Sequence, residues 1–364
     1  MSVGPPLSGA ERVLVCLPSW LGDFVMAEPA LRALDQALPS GSLTLVARSS
    51  FLELLEERFP RARRLALAPG GTQRARDWRG HDVALLCTGS LRDVWLALGA
   101  RIPRRVGFAR GGRGMLLTDA LAPPLERGAT PLGLGRAGRG RRHLPRPLER
   151  GLAELLGLLC VPVRDLRPRL EPRPAWLVAA RARRAALGLA PPAPYLLASV
   201  GARPRSAKAF APERWCAVLG ALARASRLPL LLACGPGEEP ALEAVHRGLP
   251  AARALVAPPA ALSELAAQCA EARLVLTTDS GPRHVARAVG AALVCLAGPT
   301  DPRHTAGERG RETLVRTLVP CGPCHRERCP MTGAEEHRCM LEIQPEHVVE
   351  AALLQLALSG TITR

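Results

Sequence analysis

The feature that most constrains this chain is a short apolar run followed by a segment of helical period, repeated along its length. Val13–Leu17, Leu43–Ala47 and Asp82–Cys87 read as strands in the first half, and Tyr195–Val200, Pro229–Cys234, Arg273–Thr277 and Ala292–Ala297 in the second. Between them Phe24–Ala37, Phe51–Arg58, Pro212–Ala225, Glu238–Arg247, Ala261–Cys269 and Pro282–Val289 carry helical periodicity. Apolar strands separated by helices predict a parallel sheet covered on both faces. Because the pattern restarts after a Pro- and Arg-rich stretch, Val161–Pro174, the chain is expected to be α/β, with two Rossmann-like, doubly wound domains. The expected boundaries are 1–174 and 175–364, and 364 residues suit two cores better than one. Gly111–Leu144, rich in Gly, Pro and Arg, reads mostly as loop, and Leu148–Leu159 as a helix.

Composition excludes several classes. No apolar run approaches the ~20 residues that span a bilayer. Met1–Ala10 lacks the charged start and apolar stretch of a secretory signal, so a cytoplasmic location is expected. Seven of eleven cysteines stand singly in apolar segments, as reduced thiols acting as small hydrophobes would. The net charge of +17 is almost all arginine. It reads either as the imprint of a GC-rich genome or as a surface for polyanions and an anionic membrane face. Nucleic acid is not expected: aromatic residues are only 3%, too few for stacking platforms, and no nucleic-acid-binding signature is present.

Three loops at strand ends could carry chemistry. Ser19-Trp20-Leu21-Gly22-Asp23 follows the first strand, where ligands of open α/β sheets bind. Asp23 reads as an N-cap or first-turn carboxylate, or as a general base. The absence of G-x-G-x-x-G removes support for a dinucleotide cofactor. In the second half, Ser199–Lys208 holds the only lysine of the chain, against 48 arginines. An ammonium kept where every other cation is a guanidinium suits a crowded phosphate. Thr277–His284 ends a strand and opens a helix at Pro282, and the backbone N–H groups of Ser280 and Gly281 are expected to form an anion site there. A further strand end, Ala297–Pro302, points to the same edge. Anion-binding loops in one domain and a carboxylate in the other are what a transferase with a nucleoside diphosphate leaving group requires.

Taken in order, Pro18–Met26, Arg105–Phe108, Gly112–Thr118, Ser206-Ala207-Lys208, Asp279–His284, Gly298–Pro302 and the Cys321-Gly322-Pro323-Cys324 tail resemble the motifs of the ADP-heptose:lipopolysaccharide heptosyltransferases, glycosyltransferase family nine, and fit the type II members best. The resemblance runs from about Val13 to Val349. It implies a GT-B fold with a cleft between the domains, an acceptor-side first domain, a donor-binding second domain and inverting transfer without a catalytic metal. ADP-heptose would be the donor and the inner core of lipopolysaccharide the acceptor. Asp23 falls on the family's base, with Ser19, Trp20 and Gly22 beside the acceptor. Lys208 falls on its phosphate-binding lysine, with Ser199, Asp279, Ser280, Gly281, His284 and Gly298 around the donor. Two departures, the basic loop Gly201–Arg205 and the Arg-rich stretch Arg136–Arg146, bear on the acceptor.

The tail carries Cys321, Cys324, Cys329 and Cys339 in a Cys-x2-Cys-x4-Cys-x9-Cys spacing. Four thiolates this close could hold a structural zinc, although the spacing is not a standard pair of knuckles, and free thiols are the alternative. Rival functions are a same-family transferase with another sugar donor, a nucleotide-sugar epimerase on the same fold, and a zinc-containing nucleic-acid binder.

Overall fold

The computed structural model describes residues 5–68, 73–122, 124, 144–203, 205–255, 259–305 and 310–360. The chain forms two compact units, Met1–Pro168 with Arg303–Glu308, and Arg169–Pro302 with Arg309–Arg364. The division falls inside the Pro- and Arg-rich stretch.

The first unit holds β1 (Val13–Cys16), β2 (Leu43–Ala47), β3 (Arg63–Ala66), β4 (Val83–Leu86), β5 (Arg104–Phe108) and β6 (Asp119–Leu121), in the order β3-β2-β1-β4-β5-β6. All neighbours are parallel, as in Val13↔Leu43 and Val13↔Val83. Its helices are α1 (Leu21–Met26), α2 (Glu28–Ala37), α3 (Ser49–Leu54), α4 (Leu91–Gly99) and α5 (Leu148–Gly157). The second unit repeats the plan with β7 (Leu196–Ser199), β8 (Leu230–Ala233), β9 (Arg253–Leu255), β10 (Leu274–Thr278), β11 (Leu293–Leu296) and β12 (Glu312–Val315), in the order β12-β11-β10-β7-β8-β9. Its helices are α6 (Pro174–Ala186), α7 (Pro212–Ser226), α8 (Glu239–Gly248), α9 (Leu262–Glu271), α10 (Gly281–Ala288), α11 (Arg338–Leu341) and α12 (Pro345–Gly360). Each sheet reverses direction of growth once, between β1 and β4 and between β7 and β10. Those switch points leave a crevice beyond the strand carboxyl ends.

The central strands are fully buried, so they had to be continuous apolar runs, and they were legible as such. The strands missed from sequence, β3, β5, β6, β9 and β12, lie at or next to sheet edges. There Arg63, Arg64, Arg104, Arg105, Arg253 and Glu312 interrupt the run. The single helix expected over Phe24–Ala37 is two. Pro29 lacks the N–H that would continue the ladder, and Ala27 closes α1 by donating to the Phe24 carbonyl at 3.1 Å. Residues 113–116 form a 3-10 turn and 119–121 a strand where loop was expected; residues 125–143, with most of the Arg136–Arg146 stretch, lie outside the described residues.

Each end of the connecting stretch is tied within its own unit. Arg32 donates to the carbonyls of Asp165 and Arg167 at 3.0 and 3.1 Å, and Leu170 N–H donates to the Ala288 carbonyl at 2.9 Å. Among the described residues no helix is long and apolar enough to cross a membrane. Five of the seven single cysteines are buried and Cys216 is half-buried, as expected of small hydrophobes; Cys160 is exposed.

Candidate active site

In the first unit the loops after β1 and β4, flanking the switch point, line a cavity of about 300 Å³. Its walls include Ser19, Trp20 and Asp23 from the first loop, Thr88 and Ser90 from the second, and Arg110 after β5. Gly22 sits in the same loop but not in the wall. Asp23 is not an N-cap: Trp20 occupies that position without a side-chain cap bond, and Asp23 stands in the first turn of α1. Arg110 lies over the Phe108 ring, and burial lowers its affinity for its proton while the charge of Asp23 opposes that loss. A carboxylate and a guanidinium thus face one cavity. Burial pushes the Cys87 thiol up to about 12, so it lines the cavity as a neutral group rather than a nucleophile. Beneath it, Arg113 is buried and donates to the carbonyls of Phe108 and Ser90 at 2.8 and 3.1 Å, which ties the β5 loop to the β4 loop. Arg110, Thr88 and Ser90 were missed from sequence, since nothing but proximity to strand ends marks them.

In the second unit the loops after β7 and β10 meet at the corresponding switch point. Lys208 Nζ donates to the Asp279 carbonyl at 2.7 Å. An ammonium has three N–H bonds, so this contact leaves donors for a ligand. Asp279 is buried, pairs with Arg283 at 2.6 Å, and accepts a hydrogen bond from the Thr300 hydroxyl. Burial works against the carboxylate, but Arg283, Lys208 and Thr300 outweigh it and hold the carboxyl down at about 2. Arg283 in turn reaches Glu312 of β12 at 2.5 and 3.2 Å. The Asp279 side chain therefore braces its own loop against β12 and the loop after β11. Arg283, Thr300 and Glu312 form the supporting frame that sequence reading did not assign.

His284, on the first turn of α10, is buried with Nδ1 lacking a partner. Burial, and then the charge of Arg283, lower its pKa to about 3 despite the pull of Asp279. The ring is neutral, with one ring nitrogen still open to a hydrogen bond.

The expected pair of free amides is corrected to one. Ser280 N–H donates to the Thr278 carbonyl at 2.8 Å, because the tight turn out of β10 folds it back. Pro282 has no N–H and Arg283 N–H already serves the Ser280 carbonyl at 3.1 Å. Gly281 N–H remains the open amide. Ser199, the last residue of β7, is buried beside Thr277. Gly298 is a packing residue in this structure: a Cβ there would collide with the Met340 and Cys339 sulfurs. Likewise a Cβ on Gly201 would strike Glu238, whose carboxylate accepts the Gly235 N–H at 2.9 Å.

The Cys-rich tail backs these loops. Ala207 N–H donates to the Glu327 carbonyl and His325 N–H to the Pro299 carbonyl, both at 2.8 Å. Cys339 is buried, and burial followed by the neighbouring Cys324, Cys321 and Cys329 raises its pKa to about 11. The four thiols are neighbours, but among the described residues no three His, Cys, Asp or Glu side chains converge closely enough to hold a metal ion. The zinc expectation thus finds clustered thiols without coordination geometry.

Two doubly wound parallel-sheet units, each with polar loops at its switch point, are a fold of GT-B type. The profile of glycosyltransferase family 9 (heptosyltransferase) matches residues 167–335. The lipooligosaccharide heptosyltransferase 2 of Haemophilus influenzae is 24% identical over 361 residues, covering 93% of this chain and 97% of its own. Two solved structures, each 20% identical, share the fold. The Escherichia coli ADP-heptose lipopolysaccharide heptosyltransferase II has a TM-score of 0.69, covering 96% of this chain and 99% of its own. A family 9 glycosyltransferase of Veillonella parvula has 0.74, covering 96% and 98%. The family 9 match thus covers the β7/β10 switch-point loops of the second unit, and the likeness to heptosyltransferase 2 runs over nearly the whole chain.

Proposed function

We propose that this chain transfers heptose from ADP-heptose to the inner core of lipopolysaccharide, with inversion at the anomeric carbon. The observation that carries the reading is the meeting of Lys208 with the Asp279 loop at the β7/β10 switch point, in the part of the chain that bears the family profile. That pairing offers an ammonium, the Gly281 N–H and a neutral His284 to one anionic ligand. In this reading the second unit binds the donor and the first unit the acceptor.

Asp23 takes the proton of an acceptor hydroxyl, whose oxygen attacks the anomeric carbon as the bond to the diphosphate breaks. Charge then grows on the leaving oxygen, and preorganised donors there lower the barrier. Lys208 and Gly281 N–H supply that stabilisation. Ser280 holds the turn instead, since its hydroxyl, like its amide, donates to the Thr278 carbonyl, at 3.2 Å. Ser19, Trp20 and Arg110 hold the acceptor around Asp23, and Arg110 suits an acidic group on it. No cofactor is required by this chemistry. The enzyme works at the cytoplasmic face of an anionic membrane, where a lipid-borne acceptor is presented. A structural zinc at Cys321, Cys324, Cys329 and Cys339 would need the tail to close around it.

The test is ADP release from purified protein given ADP-heptose and acceptor, separately and together. Release that requires both supports transfer. Conversion of the donor alone would replace the reading with an epimerase, and no response to ADP-heptose would end it.

A further inference from the structure

Unit one exposes few large apolar side chains, and they are not scattered. Among its described residues five are exposed, Trp20, Leu91, Trp95, Met115 and Leu144. Four of these cluster at the carboxyl edge of the sheet. Trp20 lines the same cavity as Ser90, the residue before Leu91. Leu91 and Trp95 are one turn apart on α4 and so share a face. Met115, 92% exposed, projects from the turn Arg113–Leu116 that packs on α4, and Arg113 fastens this turn to the Ser90 carbonyl. Exposed arginines stand at the same edge, Arg92 on α4 and Arg48 after β2, with Arg110 in the cavity wall between β5 and Asp23. The one carboxylate between Ser90 and Met115, Asp93, is buried and so leaves this face without an exposed negative charge from that segment.

We propose that this edge is a membrane-docking surface, seated on a bilayer with anionic headgroups. Indole rings prefer the boundary between headgroups and acyl chains, and guanidinium groups pair with headgroup phosphates. Leu91 and Met115 supply apolar tips able to enter the upper acyl region. Apolar and cationic side chains interleaved on one edge match the bilayer interface, which offers both environments within one side-chain length. Docking there would bring the mouth of the Asp23 cavity to the surface carrying the acceptor. The inference rests on the reading of a lipid-borne acceptor, and its test uses neither donor nor acceptor.

Wild-type protein is mixed with vesicles of phosphatidylglycerol and phosphatidylcholine, and with vesicles of phosphatidylcholine alone. Binding is read by co-sedimentation, and insertion by quenching of tryptophan fluorescence with brominated acyl chains. The expected result is binding that needs the anionic lipid, with quenching. The variant L91Q/W95Q/M115Q should bind roughly tenfold or more weakly, while its thermal unfolding midpoint stays near wild type. Should the triple variant fold poorly, Met115→Gln, which removes no packing, replaces it with a smaller loss in the same direction. Wild-type binding without quenching, no binding, or undiminished binding of the variants each overturns the proposal. Failure of the transfer reading would show separately, as no acceptor-dependent ADP release.

Discussion

Acidification should loosen the second unit through His284. Its folded-state pKa of about 3 lies below the ordinary 6.5, because protonation would place a charge in a buried site beside Arg283, Arg287 and Lys208, with only Asp279 in its favour. Between those two values the unfolded chain binds the proton and the folded chain does not, so stability falls as pH falls. The contribution is complete above pH 6.5 and declines below it. Going from pH 7.5 to 5.0 costs about 2 kcal/mol, from one group titrating at 6.5 when unfolded. That figure barely depends on the folded value as long as it stays below about 4.5. Asp279 does not confuse the window. Its depressed carboxyl lends stability above about 3.8 that is lost only as pH falls toward about 2. The assay is hydrogen exchange of peptides spanning Leu274–Ala288 across a urea series at both pH values, for wild type and His284→Gln. The variant should lose the about 2 kcal/mol of pH dependence. Equal pH dependence in the two proteins would refute the burial of a neutral ring as its source.

Asp23→Asn should lower turnover by ~10²–10⁴ while ADP-heptose binding changes little; retention of more than about a tenth of wild-type turnover removes Asp23 as the base. Thr300→Val should destabilise the second unit by about 1.5–3 kcal/mol, since it strips a hydroxyl from a buried carboxylate, and denaturant midpoints at pH 7 would show it. Protein purified under reducing conditions without chelator should carry close to one zinc if the tail thiols close around a metal, and elemental analysis finding none disposes of the site. Lys208→Arg should lose roughly 10² in kcat, nearly as much as Lys208→Ala, in acceptor-dependent ADP release; near-normal kcat/KM for the arginine variant would return Lys208 to an ordinary surface cation.

What the sequence revealed depended on burial. The strands β1, β4, β7, β10 and β11 are covered on both faces, so their apolar runs announced both sheets and hence both switch points. Edge strands such as β3 and β12 are half-exposed, and their Arg and Glu erased the signal. Lys208 was visible through composition alone. The state of the Ser280 amide was not, because it turns on whether the backbone folds back onto Thr278, which the residue types leave open. Arg110 was hidden for a different reason. It joins Asp23 only through the adjacency of β1, β4 and β5, and one arginine among 48 has no compositional distinction.

The use made of those arginines explains why a single lysine is informative. Arg113 bridges two carbonyls, Arg105 reaches three, and Arg283 joins Asp279 to Glu312. Each exploits a planar fork that spans two or more acceptors at fixed angles. At position 208 the requirement is the reverse: one protein acceptor, the Asp279 carbonyl, with the remaining donors left for something the protein does not itself provide. A guanidinium at this point would bring a broad, rigid donor set to a loop whose one open amide, at Gly281, lies two residues beyond that carbonyl. The phosphate would then be displaced from the amide or the cation from the carbonyl. A compact ammonium on a flexible stem meets both at once. The bracing of Asp279 by Arg283 and Thr300 keeps the carbonyl where that ammonium needs it.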